Sequence, residues 1–304
     1  EYNSIVKDHS TVDVTMALGF PDVYEVAMSH LGIKILYGLV NRREDAVAER
    51  VFAPWHDMEE EMRKRNIPLF SLETRTPIKD FDVLAFTLQY EMSYSNIVNM
   101  LDLAGVPLRT AERTAGDPFV CCGGPCAYHA EPLSDLVDFF ILGEGEEVNS
   151  EIMDVYKEWK NSGSTDRDDF LMSIIPLGGV YVPKFYDVEY NDDNTISRFE
   201  PNREGVPKQV RKRIILNMDN TYVPKKLIVP FMETVHDRIM LELFRGCIRG
   251  CRFCQAGYIY RPVRERSVDK LVETAGECIK NTGYEEMSMS SLSTSAVSYT
   301  HLTL

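Results

Sequence analysis

Short apolar runs alternate with longer segments of helical periodicity over the first 160 residues. The apolar runs predict five strands, at 12–20, 47–53, 81–88, 119–122 and 137–142. The periodic segments between and after them predict helices at 23–40, 59–65, 95–104 and 146–160. This alternation is typical of a parallel sheet covered on both faces, so we predict an α/β fold with a doubly wound sheet in residues 1–160.

Residues 161–235 have a different pattern, which predicts a linker with a β-hairpin. Residues 161–169 are polar and rich in Ser, Gly and Asp. Two strand-like runs, 180–190 and 195–199, flank the turn sequence Asn191–Asn194. Prolines at 201, 207, 224 and 230 interrupt the remainder.

Residues 236–294 predict a third domain, in the order strand, loop, helix, strand. A strand at 239–244 precedes a loop with three cysteines. A helix then begins after the N-cap Ser267 and ends at Gly283, and a strand follows at 287–292. This order suits the opening of a (β/α) barrel or another parallel unit.

The last residues break the preceding pattern. Residues 295–304 read SAVSYTHLTL, and we expect a truncated reading frame with a non-native tail; an ordinary polar tail is the alternative. About 50 residues follow the cysteine loop, whereas each β/α unit needs about 30. We therefore expect an incomplete barrel, and a chain that is inactive by itself even if its parent protein is an enzyme.

Composition and charge narrow the class of protein. Hydrophobic residues make up 44% and charged residues 26%, as in folded globular proteins. No apolar run of about 18 residues occurs, so we expect no membrane span. The formal net charge of -14 argues against a broad nucleic-acid surface but leaves a local basic patch open. Six of the seven cysteines fall into two clusters, which favours metal binding over disulfides, and hence a reducing, cytoplasmic location.

The strongest chemical signal is the triad Cys247, Cys251 and Cys254. Thiolates are soft ligands that select iron–sulfur clusters or zinc. Three thiolates on one short loop can hold three corners of a [4Fe–4S] cube and leave the fourth iron open. A structural zinc site usually needs four ligands, and neither Cys278 nor His236 has zinc-finger spacing. Zinc and inert thiols stay as alternatives.

The loop is also locally basic. Residues 241–270 contain seven positive and three negative side chains. This excess suits an anionic cluster and an anionic ligand. An RNA-facing patch or a solvated loop is the alternative.

The spacing C-x3-C-x2-C, with Phe253 before the last cysteine, resembles the signature of the radical S-adenosylmethionine (SAM) superfamily. The resemblance implies a [4Fe–4S] cluster on the three cysteines, with SAM on its open iron and Phe253 at the cofactor. It also implies reductive cleavage of SAM to a 5′-deoxyadenosyl radical, by a loop after the first strand of a partial (β/α) barrel. Glu286 and Ser288 are candidates for the element that meets the SAM amino group; a plain helix stop is the alternative.

The glycines of the first domain resemble the end of cobalamin-binding domains fused to such enzymes. The residues concerned are Gly123, Gly124, Gly143 and Gly145, which would let backbone approach a cofactor at strand ends. The cobalt-ligating string Asp-x-His-x-x-Gly does not occur, and Ser29–Gly32 does not match it. Cobalamin binding is therefore left open. Cys121, Cys122 and Cys126 are expected to be buried structural residues.

Together, the two halves resemble B12-binding-domain-containing radical SAM proteins of an uncharacterised branch, through the motifs at 245–257 and 260–266. The resemblance implies an enzyme with a reductant such as flavodoxin or ferredoxin, and leaves open whether its substrate is a small molecule or a macromolecule. Two alternatives remain: methylthiotransferase-like modification of RNA or protein, and a non-enzymatic iron–sulfur or zinc binding module.

Overall fold

The computed structural model describes residues 1–292, so the predicted tail at 295–304 lies outside the described residues. The chain divides into two compact units. The first, here called the sheet unit, contains Val6–Val23 and Val40–Arg213. The second, the cysteine unit, contains Glu1–Ile5, Tyr24–Leu39 and the segment that begins at Ile214. The predicted domain boundaries at residues 160 and 235 stay predictions.

The sheet unit is built on a six-stranded sheet with the order β2-β1-β3-β4-β5-β6. Its strands are β1 (Val14–Phe20), β2 (Ala46–Phe52), β3 (Val83–Thr87), β4 (Phe119–Gly123), β5 (Phe139–Ile141) and β6 (Val180–Tyr181). Strands β1 to β5 are parallel, and β6 pairs antiparallel with β5. The predicted α/β class with a doubly wound parallel sheet is confirmed.

Continuous apolar strands place the core of the sheet unit. Every residue of β1 is buried, which explains why its sequence is an unbroken run instead of an alternating one. The helices α3 to α6 connect or follow the strands. They are α3 (His56–Arg65), α4 (Tyr94–Ala104), α5 (Gly145–Ser162) and α6 (Arg167–Ile174). Gly105 ends α4 in the left-handed conformation, as its sequence position predicts.

Two helical elements differ from the sequence-based predictions. The single helix predicted at 23–40 is two helices, α1 (Tyr24–Ala27) and α2 (Leu31–Asn41). A tight turn ends α1, because Ser29 and His30 donate from their backbone N–H groups to carbonyls three residues earlier. Helix α6 begins inside the predicted polar linker.

The predicted hairpin is confirmed in its turn but shorter in its first arm. It consists of β7 (Tyr186–Tyr190) and β8 (Ile196–Pro201), which pair antiparallel. The start of the predicted arm, Val180–Tyr181, is instead β6 and covers the free edge of β5. An uncovered strand edge leaves backbone groups unpaired, which favours this use of an apolar dipeptide.

The cysteine unit carries a strand, loop, helix, strand order, as predicted. Its elements are β9 (Ile239–Glu242), β10 (Phe244–Arg245), α7 (Ala256–Ile259), β11 (Arg264–Glu265), α8 (Val268–Thr282) and β12 (Met287–Ser290). Strands β9 and β12 are parallel. The buried face of α8 packs Leu271 against Leu241 and Leu243, and Cys278 against Ile239. This β/α/β unit confirms the predicted start of a barrel.

A helix that crosses a bilayer needs about 20 consecutive, mostly apolar residues. Within residues 1–292, no helix combines the necessary length with the necessary apolar character.

Candidate functional site

The cysteine loop, residues 246–263, leaves the carboxyl end of the first strand of the β/α/β unit. Its two ends are held together by a two-stranded antiparallel ribbon, in which Phe244 pairs with Glu265 and Arg245 with Arg264. Active sites of β/α folds lie at the carboxyl ends of their strands. The loop therefore occupies the position at which the sequence predicted chemistry.

Two glycines allow the backbone of the loop to pack closely against itself. Gly246 has φ +98°, and a Cβ atom there would lie 2.4 Å from the carbonyl oxygen of Pro262 and 2.6 Å from that of Tyr260. A Cβ atom on Gly257 would lie 2.8 Å from the carbonyl oxygen of Arg249. Since backbone oxygens cannot move aside as a flexible side chain can, both positions require glycine.

Substitution of Gly246 by alanine is expected to open the base of the loop. The left-handed backbone and the overlap with two carbonyls together should cost about 2 kcal/mol or more. Amide hydrogen exchange over residues 246–263 measures this directly and should accelerate. Gly250→Ala in the same loop is the control, because its Cβ atom meets nothing within 4 Å. Equal exchange in the two variants would contradict the packing argument.

A carboxylate with two guanidinium partners lies at the base of the loop. Glu242, at the end of β9, accepts hydrogen bonds from Arg245 Nε at 2.8 Å and from Arg266 Nη2 at 3.0 Å. Its side chain is 19% exposed, whereas that of Arg266 is 2% exposed. Burial opposes ionisation of Glu242, but the two arginines outweigh it and hold the pKa of its carboxyl below the ordinary value. One carboxylate therefore joins the residues that enter and leave the loop.

The return strand of the loop is also tied to the segment 215–219. Arg264 donates to the carbonyl of Ile215 at 2.8 Å, and Arg266 donates to the carbonyl of Met218. The backbone N–H of Ser267 donates to Asp219 at 2.8 Å. These bonds make the loop's base an ordered platform.

The positive charges of the loop divide into paired and unpaired groups. Arg245 and Arg266 are neutralised in part by Glu242, and Lys270 pairs with Glu273 at 3.0 Å. Arg249 and Arg252 are exposed and make no ion pair within residues 1–292. These two guanidinium groups, which flank Cys251 in sequence, are therefore the charges available to an anion at the loop.

The three predicted ligands share this loop but differ in exposure. Cys247 is 8% exposed, Cys254 is half-buried and Cys251 is exposed. A tight turn joins the last two, since Cys254 N–H donates to the carbonyl of Cys251 at 3.1 Å. In the described part of the chain, no three Cys, His, Asp or Glu side chains are arranged to hold a metal ion. Three thiols are suitable ligands for an iron–sulfur cluster. Binding of a cluster would require the three side chains to move towards one another.

Of the other residues predicted at the cofactor, Glu286 and Ser288 are not brought to this end of the strands. Glu286 lies before β12 at its amino end, where it is 3.7 Å from Arg238. Ser288 pairs in register with Met240, in the middle of β9. Phe253 lies in the loop and is 93% exposed. The assignments of Glu286 and Ser288 stay predictions, which this placement does not favour.

Sequence reasoning missed the polar residues that do lie at the carboxyl end. Ser290 is in register with Glu242. The hydroxyl of Ser291 is buried and has no hydrogen-bond partner among residues 1–292. No local sequence signal identified these serines, because the register that sets Ser290 level with Glu242 follows from the pairing of β12 with β9. Glu242 itself was recognisable as an acidic residue between a buried strand and an arginine.

The four predicted glycines of the sheet unit lie at the carboxyl ends of two neighbouring strands, β4 and β5. They are Gly123, Gly124, Gly143 and Gly145. A Cβ atom on Gly124 would lie 2.7 Å from the carbonyl oxygen of Leu88, and one on Gly143 would lie 2.2 Å from that of Arg213. The chain's own backbone fills these spaces. The structure therefore gives both glycines a packing role, and their role at a cofactor stays a prediction.

The remaining cysteines are buried. Cys121 and Cys122 are adjacent on β4, and burial raises the pKa of both thiols. Burial and the nearby Glu91 raise the pKa of Cys126, and burial raises that of Cys278 to about 11. Thiols of this kind are poor nucleophiles and poor metal ligands.

Several known proteins are similar to this chain in sequence or in structure. An uncharacterised protein of Methanocaldococcus jannaschii is 23% identical over 266 residues, 87% of this chain and 46% of that protein. Two structures of the radical S-adenosylmethionine methyltransferase TsrM from Kitasatospora setae each align over 91% of this chain and 47% of theirs. The one with cobalamin and a [4Fe–4S] cluster bound has 10% identity and a TM-score of 0.51. The one with tryptophan substrate and a SAM analogue bound has 13% identity and a TM-score of 0.49.

The first of these two structural matches shows a shared fold. The chain spans about half the length of the proteins that it matches. The family model for the N-terminal region of radical SAM proteins matches residues 32–183, which is half of the chain. The chain therefore belongs to the radical SAM proteins.

Proposed function

We propose that the chain is part of a radical SAM enzyme in which Cys247, Cys251 and Cys254 hold a [4Fe–4S] cluster. The observation that carries the proposal is the placement of all three thiols on one glycine-closed loop at the carboxyl end of β9. When bound, the cluster supplies the electron that cleaves SAM to a 5′-deoxyadenosyl radical. A fourth protein ligand is absent from the motif, which suits an iron left open for SAM.

The chain's own residues have distinct tasks in this proposal. The exposed Cys251 and the half-buried Cys254 are accessible to an incoming cluster. Arg249 and Arg252 balance the negative charge of thiolates, sulfides and the SAM carboxylate. Glu242, through Arg245 and Arg266, keeps both ends of the loop in place. Phe253 exposes an aromatic ring, which we assign to packing against bound SAM.

We further propose that the sheet unit binds cobalamin. Its strand order reverses direction between β1 and β3, and ligands of doubly wound sheets bind beyond the carboxyl ends of strands at such a point. TsrM, which shares the fold, is described with cobalamin bound. No Asp-x-His-x-x-Gly string is available to ligate cobalt, so we propose binding without that ligand.

The chain spans about half the length of the proteins that it matches, so we propose the activity for the whole protein. We propose a cytoplasmic location and a reductant such as flavodoxin or ferredoxin. The substrate class is left unassigned. A methylthiotransferase would need a second cluster from the first domain, which the burial of Cys121 and Cys122 side by side on β4 disfavours.

Anaerobic reconstitution of the full-length parent protein tests the enzyme proposal. We expect about four irons with matching sulfide at the triad, as the three-cysteine site requires. Reduction with dithionite in the presence of SAM should then release 5′-deoxyadenosine or methylthioadenosine, measured by liquid chromatography. One zinc without sulfide would identify a binding module instead. An iron-loaded protein that leaves SAM intact would also refute the proposal.

A further inference from the structure

An open cavity of about 730 Å³ lies in the sheet unit, at the carboxyl ends of β4 and β5 and against the hairpin β7–β8. None of the residues assigned above to a cofactor lines it. Its lining comes from residues 127–132, Leu142, Tyr181, Tyr186, Phe199 and 208–210. A volume between about 300 and 1,000 Å³ is typical of sites for small molecules.

Three aromatic rings form one wall of the cavity. Tyr186 and Phe199 are stacked, with centroids 5.2 Å apart and planes 13° apart, and Tyr181 lies 5.1 Å from Tyr186. The hydroxyl of Tyr181 donates to Glu131, and that of Tyr186 donates to the carbonyl of Pro207 at 2.7 Å. Both tyrosine rings are therefore oriented before any ligand arrives, which lowers the entropic cost of binding.

The polar groups of the cavity favour a ligand without net charge. The carboxylate of Glu131 already accepts from Tyr181, and the ammonium of Lys208 lies 3.5 Å from Glu200. Glu131 thus already has a hydrogen-bond partner, and Lys208 an ion-pair partner, inside the unit. The amide of Gln209, in contrast, lines the cavity and makes no hydrogen bond within residues 1–292. It is available to a ring nitrogen or a carbonyl.

We propose that this cavity binds an uncharged planar aromatic or heteroaromatic molecule. The ring packs against Tyr186 and Phe199, and Gln209 hydrogen-bonds its edge. The cavity belongs to the sheet unit, whereas the proposed cluster ligands belong to the cysteine unit. It adds a second small-molecule site to the sheet unit.

Fluorine NMR titration of the 304-residue chain, free of cofactors, tests the proposal with three probes that share one ring system. The probes are neutral fluoroindole, cationic fluorotryptamine and anionic fluoroindole acetate. We expect fluoroindole to bind, and both charged probes to bind several-fold more weakly. Phe199→Ala should weaken fluoroindole binding about 3- to 10-fold through the lost ring contact.

Tyr190→Ala is the matched control, because Tyr190 is an exposed aromatic residue on the same hairpin that does not line the cavity. Gln209→Leu, on the exposed rim, is a second variant that spares the fold and should also weaken binding. Unchanged affinity in both lining variants, tighter binding of a charged probe, or no binding of fluoroindole would overturn the proposal. Displacement of fluoroindole by cobalamin would overturn it too, since the cavity would then belong to the cofactor site.

Discussion

Replacement of Cys251 by alanine is expected to abolish stable binding of the iron–sulfur cluster while leaving the fold intact. Cys251 is exposed, so the chain loses a ligand without losing packing. A cube held by two thiolates instead of three should be lost during purification, because each thiolate is a direct bond to iron. Iron and sulfide content after anaerobic reconstitution measures the loss, and circular dichroism measures the fold.

Cys278→Ala is the matched control in the same unit. Cys278 is buried on α8, and its Sγ atom lies 3.7 Å from the carbonyl oxygen of Pro224. Its removal should cost some stability but no iron. If Cys251→Ala retains a full complement of iron and sulfide, or if Cys278→Ala loses it, the assignment of the triad is wrong.

Glu242→Gln is expected to destabilise the base of the cysteine loop by about 3 kcal/mol, because it leaves the largely buried Arg266 without its counterion. The variant should bind the cluster with lower occupancy and should show faster hydrogen exchange over residues 246–263. Chemical denaturation of the chain, monitored by hydrogen exchange in the cysteine unit, measures the change in the free energy of unfolding.

The stabilisation that Glu242 provides should decrease as the pH falls. The pKa of Glu242 is lowered in the folded chain, so its contribution is present above the ordinary value of 4.5 and is lost as the pH falls below it. Glu242→Gln should therefore remove part of the acid sensitivity of the wild-type unit. Glu273→Gln is the control, since the ion pairs of Glu273 with Lys225 and Lys270 are largely solvent-accessible, and such pairs contribute little to stability. Equal stability of the two variants would contradict the role assigned to Glu242.

Local sequence patterns were sufficient for the elements whose signals are short-range. The apolar run of β1 and the glycine at the end of α4 predicted those elements to within two residues. Local patterns gave wrong predictions where a contact with a distant segment determined the secondary structure. Val180–Tyr181 reads as the arm of a hairpin, but the free edge of β5 recruits it into the sheet. Helix α1 ends early at a turn around Ser29, which also accepts a hydrogen bond from the backbone of His236, far away in sequence.

In the candidate site, too, some features follow from the sequence and others from the tertiary structure. By itself, the sequence singled out Cys247, Cys251 and Cys254 as the predicted ligands, because soft thiols at a fixed spacing on one loop indicate a metal or cluster site without reference to the rest of the chain. Only the tertiary structure decided that Glu242 joins the two ends of that loop. It also decided that Ser290, not Glu286, lies level with the loop's origin. Both depend on strand register and ion pairing between distant segments, which local periodicity does not encode.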